Sequence, residues 1–242
     1  MTTLFLSDIH ASDQHAEISE HLKEFLLEEG SKADTIFVLG DLFEYWLGDD
    51  DPNPSFAEIK NLLRKLSDKN ISIFFIHGNR DFLIGESFAE ETGCHILYDP
   101  HVIDLYGKRV LISHGDIFCT DDKEYQSYRK QTRDPVWKES ILSKSLSFRK
   151  EFAKKARLES SKHTSSKKNE IMDVNKDEIL KMYEKYNVDI IIHGHTHRPA
   201  IHDVFFNGRN RQRIVLGDWY EQGSILKCNE TGFDLIQLDR KC

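Results

Sequence analysis

Five apolar runs punctuate the chain, and each is closed by a polar cluster. Leu4-Phe5-Leu6 leads to Asp8-Ile9-His10, Ile36-Phe37-Val38-Leu39 to Gly40-Asp41, and Ile73-Phe74-Phe75-Ile76 to Gly78-Asn79-Arg80-Asp81. Val110-Leu111-Ile112 precedes His114-Gly115-Asp116, and Ile190-Ile191-Ile192 precedes Gly194-His195-Thr196-His197. Short unbroken runs of Ile, Val, Leu and Phe, bounded by glycine and polar residues, predict buried strands. Between them the period changes. Ile18, Leu22, Phe25 and Leu26 recur at helical spacing, with Gly30 as a stop. Phe56, Ile59, Leu62, Leu63 and Leu66 do the same after Ser55-Phe56-Ala57-Glu58, which has the form of a capping box. Strand, polar cluster and helix alternate through the first hundred residues, which predicts an α/β fold. The clusters then fall along the carboxyl edge of a buried sheet, where loops carry function. Arg213 to Leu216 and Phe233 to Leu238 read as strands completing a second sheet.

One long segment departs from this rhythm. Cys119 to Asn187 reads as helices inserted beside the active edge, about 120–187 within a single domain spanning 1–242. From Lys138 to Lys168 it carries ten Lys or Arg against three Glu, a local +7 in a chain whose formal net charge is −8. Trp137, Ile141, Leu142, Leu146, Phe148 and Phe152 are interleaved with these charges. Three readings fit: a solvated helix with a core-facing stripe, a nucleic-acid patch, or an amphipathic cap lying on anionic lipid. The segment is short and the rest of the chain is acidic, which argues against nucleic acid.

With 242 residues and 39% hydrophobic content the chain has enough material for one full-sized core. Four cysteines without C-x-x-C spacing predict reduced thiols in the cytosol. The chain enters a strand at once, so no signal peptide is expected, and no run reaches the roughly 20 apolar residues that span a bilayer.

The clusters themselves offer carboxylate, amide and imidazole donors and no thiolate, a set suited to Mn, Mg, Fe or Zn. One Asp-x-His after a strand is most simply a turn with a satisfied histidine. Five ordered clusters point instead to ligands shared by two ions, with a carboxylate such as Asp41 between them. His77 and His193 precede the turns and suit either support of the ligands or packing, while His15, His21, His95, His101 and His202 read as surface or packing residues. Phe43, Tyr45 and Trp46 read as core, with the mouth of the site as the other option.

The order D-x-H, G-D, G-N, H-G-D, G-H-T-H resembles the calcineurin-like metallophosphoesterases from Thr3 to about Tyr220. The acidic loop Gly48 to Pro54, Cys119-Thr120-Asp121-Asp122 and Ile171-Met172-Asp173-Val174-Asn175 narrow the resemblance to the UDP-2,3-diacylglucosamine pyrophosphohydrolase family of the lipid A pathway. That resemblance implies a two-sheet β-sandwich core flanked by helices, with a helical insertion lid. It implies two divalent ions, Mn2+ foremost, one held by Asp8, His10, Asp41 and His197 and the other by Asp41, Asn79, His114 and His195. It implies hydrolysis of UDP-2,3-diacylglucosamine to UMP and 2,3-diacylglucosamine 1-phosphate by metal-activated hydroxide, with Asn79, Arg80 and His195 as catalytic supports. Asn79, Arg80, Asp122, Arg157, Ser160, Thr164, Lys167 and His195 would meet substrate; the family often carries Asn where Thr164 stands. Many relatives place a histidine where Arg80 stands, and a planar guanidinium suits a diphosphate whose leaving group is already a stable anion. The same resemblance favours a monomer peripheral on the cytoplasmic face of the inner membrane of a Gram-negative bacterium, held by the basic insertion, with no nucleic-acid partner. Two other readings remain open: a phosphodiesterase or nucleotide phosphatase acting on a soluble substrate, and a non-catalytic metal-binding interaction module.

Overall fold

The computed structural model describes residues 1–166, 173–220 and 223–238, with side chains described outside 160–166. β1 (Thr3–Leu6), β2 (Thr35–Leu39), β3 (Ser72–Ile76) and β4 (His95–Leu97) run parallel in one sheet. α1 (Ala16–Glu28), α2 (Ala57–Ser67) and α3 (Glu86–Thr92) connect them. β5 (His101–Leu105), β6 (Lys108–Ser113), β7 (Ile190–His193), β8 (Ala200–Phe206) and β9 (Arg209–Val215) form a second sheet in the order β5-β6-β7-β9-β8. β10 (Gly223–Asn229) and β11 (Gly232–Leu238) return to the first, giving β11-β10-β1-β2-β3-β4.

Alternation along each strand explains why the runs are apolar throughout. Successive side chains point to opposite faces, and both faces are covered here. Phe5, Phe37, Leu39 and Ile76 from the first sheet meet Val110, Ile112, Ile190, Ile192 and Ile214 from the second, forming the layer between the sheets. Their neighbours Leu4, Leu6, Ile36, Val38, Ile73 and Phe75 face outward onto α1 and α2. Leu111 and Ile191 face the other way, onto Ile179 and Tyr183 of α7 (Lys176–Tyr186). Each fully buried side chain of this size contributes roughly 1.5–3 kcal/mol, so the sandwich rigidly fixes the strand ends that carry the polar clusters.

Three expectations change. The polar clusters do not lie along one sheet: β1, β2 and β3 bring three of them and β6 and β7 the other two, so the clusters converge across the sandwich. Phe233 to Leu238 lies in β11, which pairs with β10 at the edge of the first sheet because a tight turn at 230–231 makes that hairpin the shortest connection. Ser55 does not cap α2. Asn53 accepts the Ser55 N–H at 3.0 Å and Pro54 opens a 3-10 turn that runs into the helix.

Helices fill the 120–187 segment: α4 (Lys123–Thr132), α5 (Pro135–Leu142), α6 (Leu146–Ser166) and then α7. α7 carries the chain from β6 to β7 and packs on the second sheet, whereas Ile141, Trp137 and Phe152 of α5 and α6 pack against the first-sheet core. Phe43 and Trp46 are buried in that same core, beside Phe56 and Phe88. Cys94, Cys119 and Cys228 are buried and form no disulfide with one another. No helix among the described residues is long and apolar enough to cross a membrane.

Candidate metal centre

The backbone turns sharply at the candidate ligand positions. Asp8, His10, Asp41, His195 and His197 all have positive φ, between 54° and 67°. Such a conformation is uncommon for non-glycine residues, with Asp and His among the more tolerant. Backbone bonds hold it: Asp8 N–H donates to Gly40 O and His10 N–H to Asp41 O, which locks the β1 loop to the β2 loop. Two glycines permit the close approach. A Cβ on Gly78 would lie 2.1 Å from Asp41 Oδ1, and one on Gly194 would lie 2.2 Å from Asp8 Oδ2.

The side chains then converge. Asp8 Oδ2 accepts from Ser7 Oγ at 2.6 Å and from the His195 N–H at 2.8 Å, which leaves Oδ1 facing His197 Nε2 at 3.3 Å. Asp41 Oδ1 accepts the Arg80 N–H at 2.8 Å. Its Oδ2 stands 3.9 Å from His10 Nε2 and also 3.9 Å from His114 Nε2, midway between two groups of donors. Asn79 Oδ1 lies 2.9 Å from both His114 Nε2 and His195 Nδ1. Ligand atoms of Asp8, His10 and His197 lie within 4.8 Å of one another, as do those of Asp8, Asp41 and His114.

Three imidazoles are oriented by their other nitrogen. His10 Nδ1 meets Glu44 Oε2 at 2.9 Å, His114 Nδ1 meets Leu39 O at 2.9 Å, and His197 Nδ1 meets Asp218 Oδ2 at 3.3 Å. These acceptors take a proton on Nδ1, so each ring, once neutral, offers its Nε2 lone pair to the centre, the arrangement of metal-binding histidines. Asp8 Oδ1 and His10 Nε2 are buried without a hydrogen-bond partner. Buried polar atoms are rarely left so. Divalent cations fit this donor set: oxygen and imidazole ligands, two buried carboxylates and unsatisfied lone pairs aimed at common points.

Charge follows the same logic. For the chain alone, burial is outweighed by Asp41 and Asp8, which raise the His114 pKa to about 9. Burial is likewise outweighed at His197, where Asp8 and Asp218 raise it to about 10. Burial and the His114 charge push His195 down to about 3. Glu44 is held at about 2 against its burial, chiefly by His10.

Several participants were not singled out from sequence. Glu44 is buried, and besides His10 it accepts from Tyr220 Oη at 2.6 Å and meets Arg157 Nη1 at 3.1 Å. Arg80 Nη1 stands 4.0 Å from Glu44 Oε1, and among the described residues this is the one ion pair of its guanidinium. Asp81 holds the Gly78 and Leu42 N–H groups at 2.8 Å each and thereby fixes the loops bearing Asn79 and Asp41. Behind His114, Arg129 joins Asp116 at 2.9 Å to Asp99 at 3.0 Å, and Tyr125 Oη donates to Asp116 at 2.5 Å. The Tyr125 ring leans on His195 with 5.7 Å between centroids. The one available signal was that Asp116 sits inside a cluster, and Glu44 three residues past another, as charged residues with no assigned work.

The structure thus brings Asp8, His10, Asp41, Asn79, His114, His195 and His197 together, with Arg80 and Arg157 at Glu44 beside them. Asp122 caps α4 through the Tyr125 N–H at 3.1 Å. The Ser160 and Thr164 side chains, and Lys167, lie outside the described residues. His77 Nε2 meets Ile84 O at 2.7 Å, and His193 Nδ1 meets Gly194 O at 2.8 Å.

Residues 1–199 match the Calcineurin-like phosphoesterase family. A protein of Stenotrophomonas maltophilia (strain K279a) named UDP-2,3-diacylglucosamine hydrolase is 47% identical over 248 residues, covering 100% of both chains. Proteins of the same name from Photorhabdus laumondii and Aeromonas hydrophila are 45% and 46% identical, covering 98% of both chains and 94% and 95% of the two chains respectively. The chain belongs to the calcineurin-like phosphoesterases and, within them, to the family whose curated members carry the name UDP-2,3-diacylglucosamine hydrolase.

Proposed function

We propose that this chain hydrolyses the diphosphate of UDP-2,3-diacylglucosamine, releasing UMP and 2,3-diacylglucosamine 1-phosphate. The observation that carries the reading is the convergence of six candidate ligand side chains around Asp41, in a chain that aligns end to end with relatives bearing that name. Asp8, His10, Asp41 and His197 hold one divalent ion, and Asp41, Asn79, His114 and His195 hold the other. Bound there, the ions supply Lewis-acid charge to the phosphoryl oxygens and acidify water. Mn2+ suits the mixed carboxylate, carbonyl and imidazole donors.

The chain's own residues orient the diphosphate. Arg80, lightly engaged at 4.0 Å from Glu44, turns its fork to phosphate oxygens. His195 and Asn79 border the same point and complete the catalytic set. No side chain has to protonate the leaving sugar phosphate, which departs as a stable anion. Asp122, Arg157, Ser160, Thr164 and Lys167 meet the head group beneath a cap formed by the helical insertion.

The cap also suits a lipid surface. Val136 and Phe148 are 74% and 51% exposed, beside exposed Lys144, Lys150, Lys154 and Lys155. Each cation near anionic headgroups contributes about 1 kcal/mol at most, enough together for reversible attachment to the cytoplasmic face of the inner membrane.

Phosphorus NMR of the Mn-loaded enzyme with the lipid-linked UDP sugar, run in H2(18)O, tests the reaction. UMP carrying the label, together with unlabelled sugar 1-phosphate, is expected from attack at the uridylyl phosphorus. Release of orthophosphate, or no turnover, overturns the reading.

A further inference from the structure

A cavity of about 240 Å3 opens beside the turn that carries His195 and His197, lined by Asp173, Thr196, Arg198, Pro199, His202 and Arg213. The chemistry above uses none of them. Arg198 Nη1 donates to Asp173 Oδ2 at 2.6 Å. Arg213 is half-buried and, among the described residues, has no ion-pair partner; its Nη1 lies 3.2 Å from His193 Nε2. Thr196 Oγ1 is buried without a hydrogen-bond partner. Against its burial, the Val174 N–H and Arg198 hold the Asp173 carboxyl below its usual range, so it stays a hydrogen-bond acceptor at neutral pH. The cavity therefore offers two guanidinium donors around one carboxylate acceptor, a hydroxyl in need of a partner and an apolar wall from Pro199.

The ligand that fits must present acceptors on either side of a donor, on a flat ring with polar hydroxyls attached. Uracil does: O2 and O4 accept and N3–H donates. The volume lies below the roughly 300 Å3 at which pockets for drug-sized ligands begin, a size that suits a nucleoside. Position agrees as well. Thr196 stands between two of the ligand histidines, and the uridine of a UDP sugar is one ester bond from the phosphorus that reacts.

We propose that this cavity is the uridine subsite, with Arg198 and Arg213 donating to the uracil carbonyls, Asp173 accepting N3–H and Thr196 meeting the ribose. The assignment rests on the reading of the substrate given above. It also sets specificity, because cytosine presents an acceptor at N3 and would face the Asp173 carboxylate unpaired.

UMP and CMP, measured as product inhibitors of the Mn-loaded enzyme and by calorimetry, test it. The wild type is expected to bind UMP at least about tenfold more tightly than CMP, the size of penalty an unpaired buried polar group imposes. Asp173→Asn should shrink that ratio toward one. Arg198→Ala should weaken UMP about tenfold and raise KM for the UDP sugar with kcat nearly held, and Arg198→Lys should recover part of the loss. Arg198 is 45% exposed, and an unchanged melting curve is the check that its removal leaves the fold intact. The proposal is overturned if UMP and CMP bind equally to the wild type, if Asp173→Asn keeps the preference, or if Arg198→Ala loses bound metal in parallel with UMP. An enzyme that fails to cleave the lipid-linked substrate refutes the proposed function instead, and calorimetry with the two nucleotides still decides the subsite.

Discussion

His10 is prepared for a cation by Glu44. The carboxylate takes the proton-bearing Nδ1 at 2.9 Å, so Nε2 turns to Asp41 with its lone pair free. Glu44→Gln keeps the shape and removes the charge. Loss of such a partner costs on the order of 10–100-fold in metal affinity, read by Mn titration of chelator-stripped protein; unchanged affinity would deny Glu44 this role. His114 and His197 add a proton signature. With values of about 9 and 10 both are charged near pH 7.5 in stripped protein, and ligation needs neutral imidazole. Adding Mn at that pH should release protons, seen as buffer-dependent heats, and release should fade above pH 10. Their raised values also stabilise the stripped fold fully below about pH 6.5, a contribution lost as pH climbs through 9 to 10. The seven side chains that converge were legible because each follows a strand whose apolar run marks its end. The work of Glu44 was not, since its partners arrive from the β1 loop, α6 and Tyr220, and no spacing along the chain relates them.

At the scale of elements, the insertion is fastened rather than merely placed. Arg149 of α6 is buried and donates to Leu47 O at 2.5 Å, to Lys144 O at 3.1 Å and to Asp50. The acidic loop therefore binds α6, and Arg149 is withdrawn from any role at a lipid surface. Gly48, at φ 130°, makes room, since a Cβ there would stand 2.3 Å from Arg149 Nη1. Arg149→Met retains the aliphatic stem but strands two carbonyls, and Asp50 regains water because it is 60% exposed. Unfolding in urea should show a loss of about 1–3 kcal/mol, with KM rising as the cap loosens. A variant as stable as wild type would mean that this latch carries no load. Sequence could count the ten cations but could not say which one turns inward, because burial of a charge depends on a partner a hundred positions away. The capping box failed for a related reason: Asn53 and Pro54 begin a 3-10 turn earlier, so Phe56 rather than Ser55 stands at the N-cap of the helix.

Over the whole molecule, two sheets close on one apolar layer and press five loops against each other at one end. The order of strands and ligands was readable because burial on both faces writes unbroken apolar runs. Sheet membership was not, because β11 is apolar and half-exposed in a way that suits either edge; the β10–β11 hairpin decides it. The same molecule exposes Val136 of α5 and Phe148 of α6 on a segment that also carries exposed Lys144, Lys150, Lys154 and Lys155. Sedimentation with vesicles should show binding to anionic but not zwitterionic lipid, weakening as salt rises from 50 to several hundred millimolar on the order of the screening length. Equal binding to both lipids would remove the electrostatic part of the membrane reading.

Crystals soaked in Mn2+ and measured at its absorption edge test the paired centre most directly. Two anomalous peaks are expected, one on each side of Asp41 Oδ2, the first contacted by Asp8, His10 and His197 and the second by Asn79, His114 and His195. A single peak, or none within reach of Asp41, would contradict it.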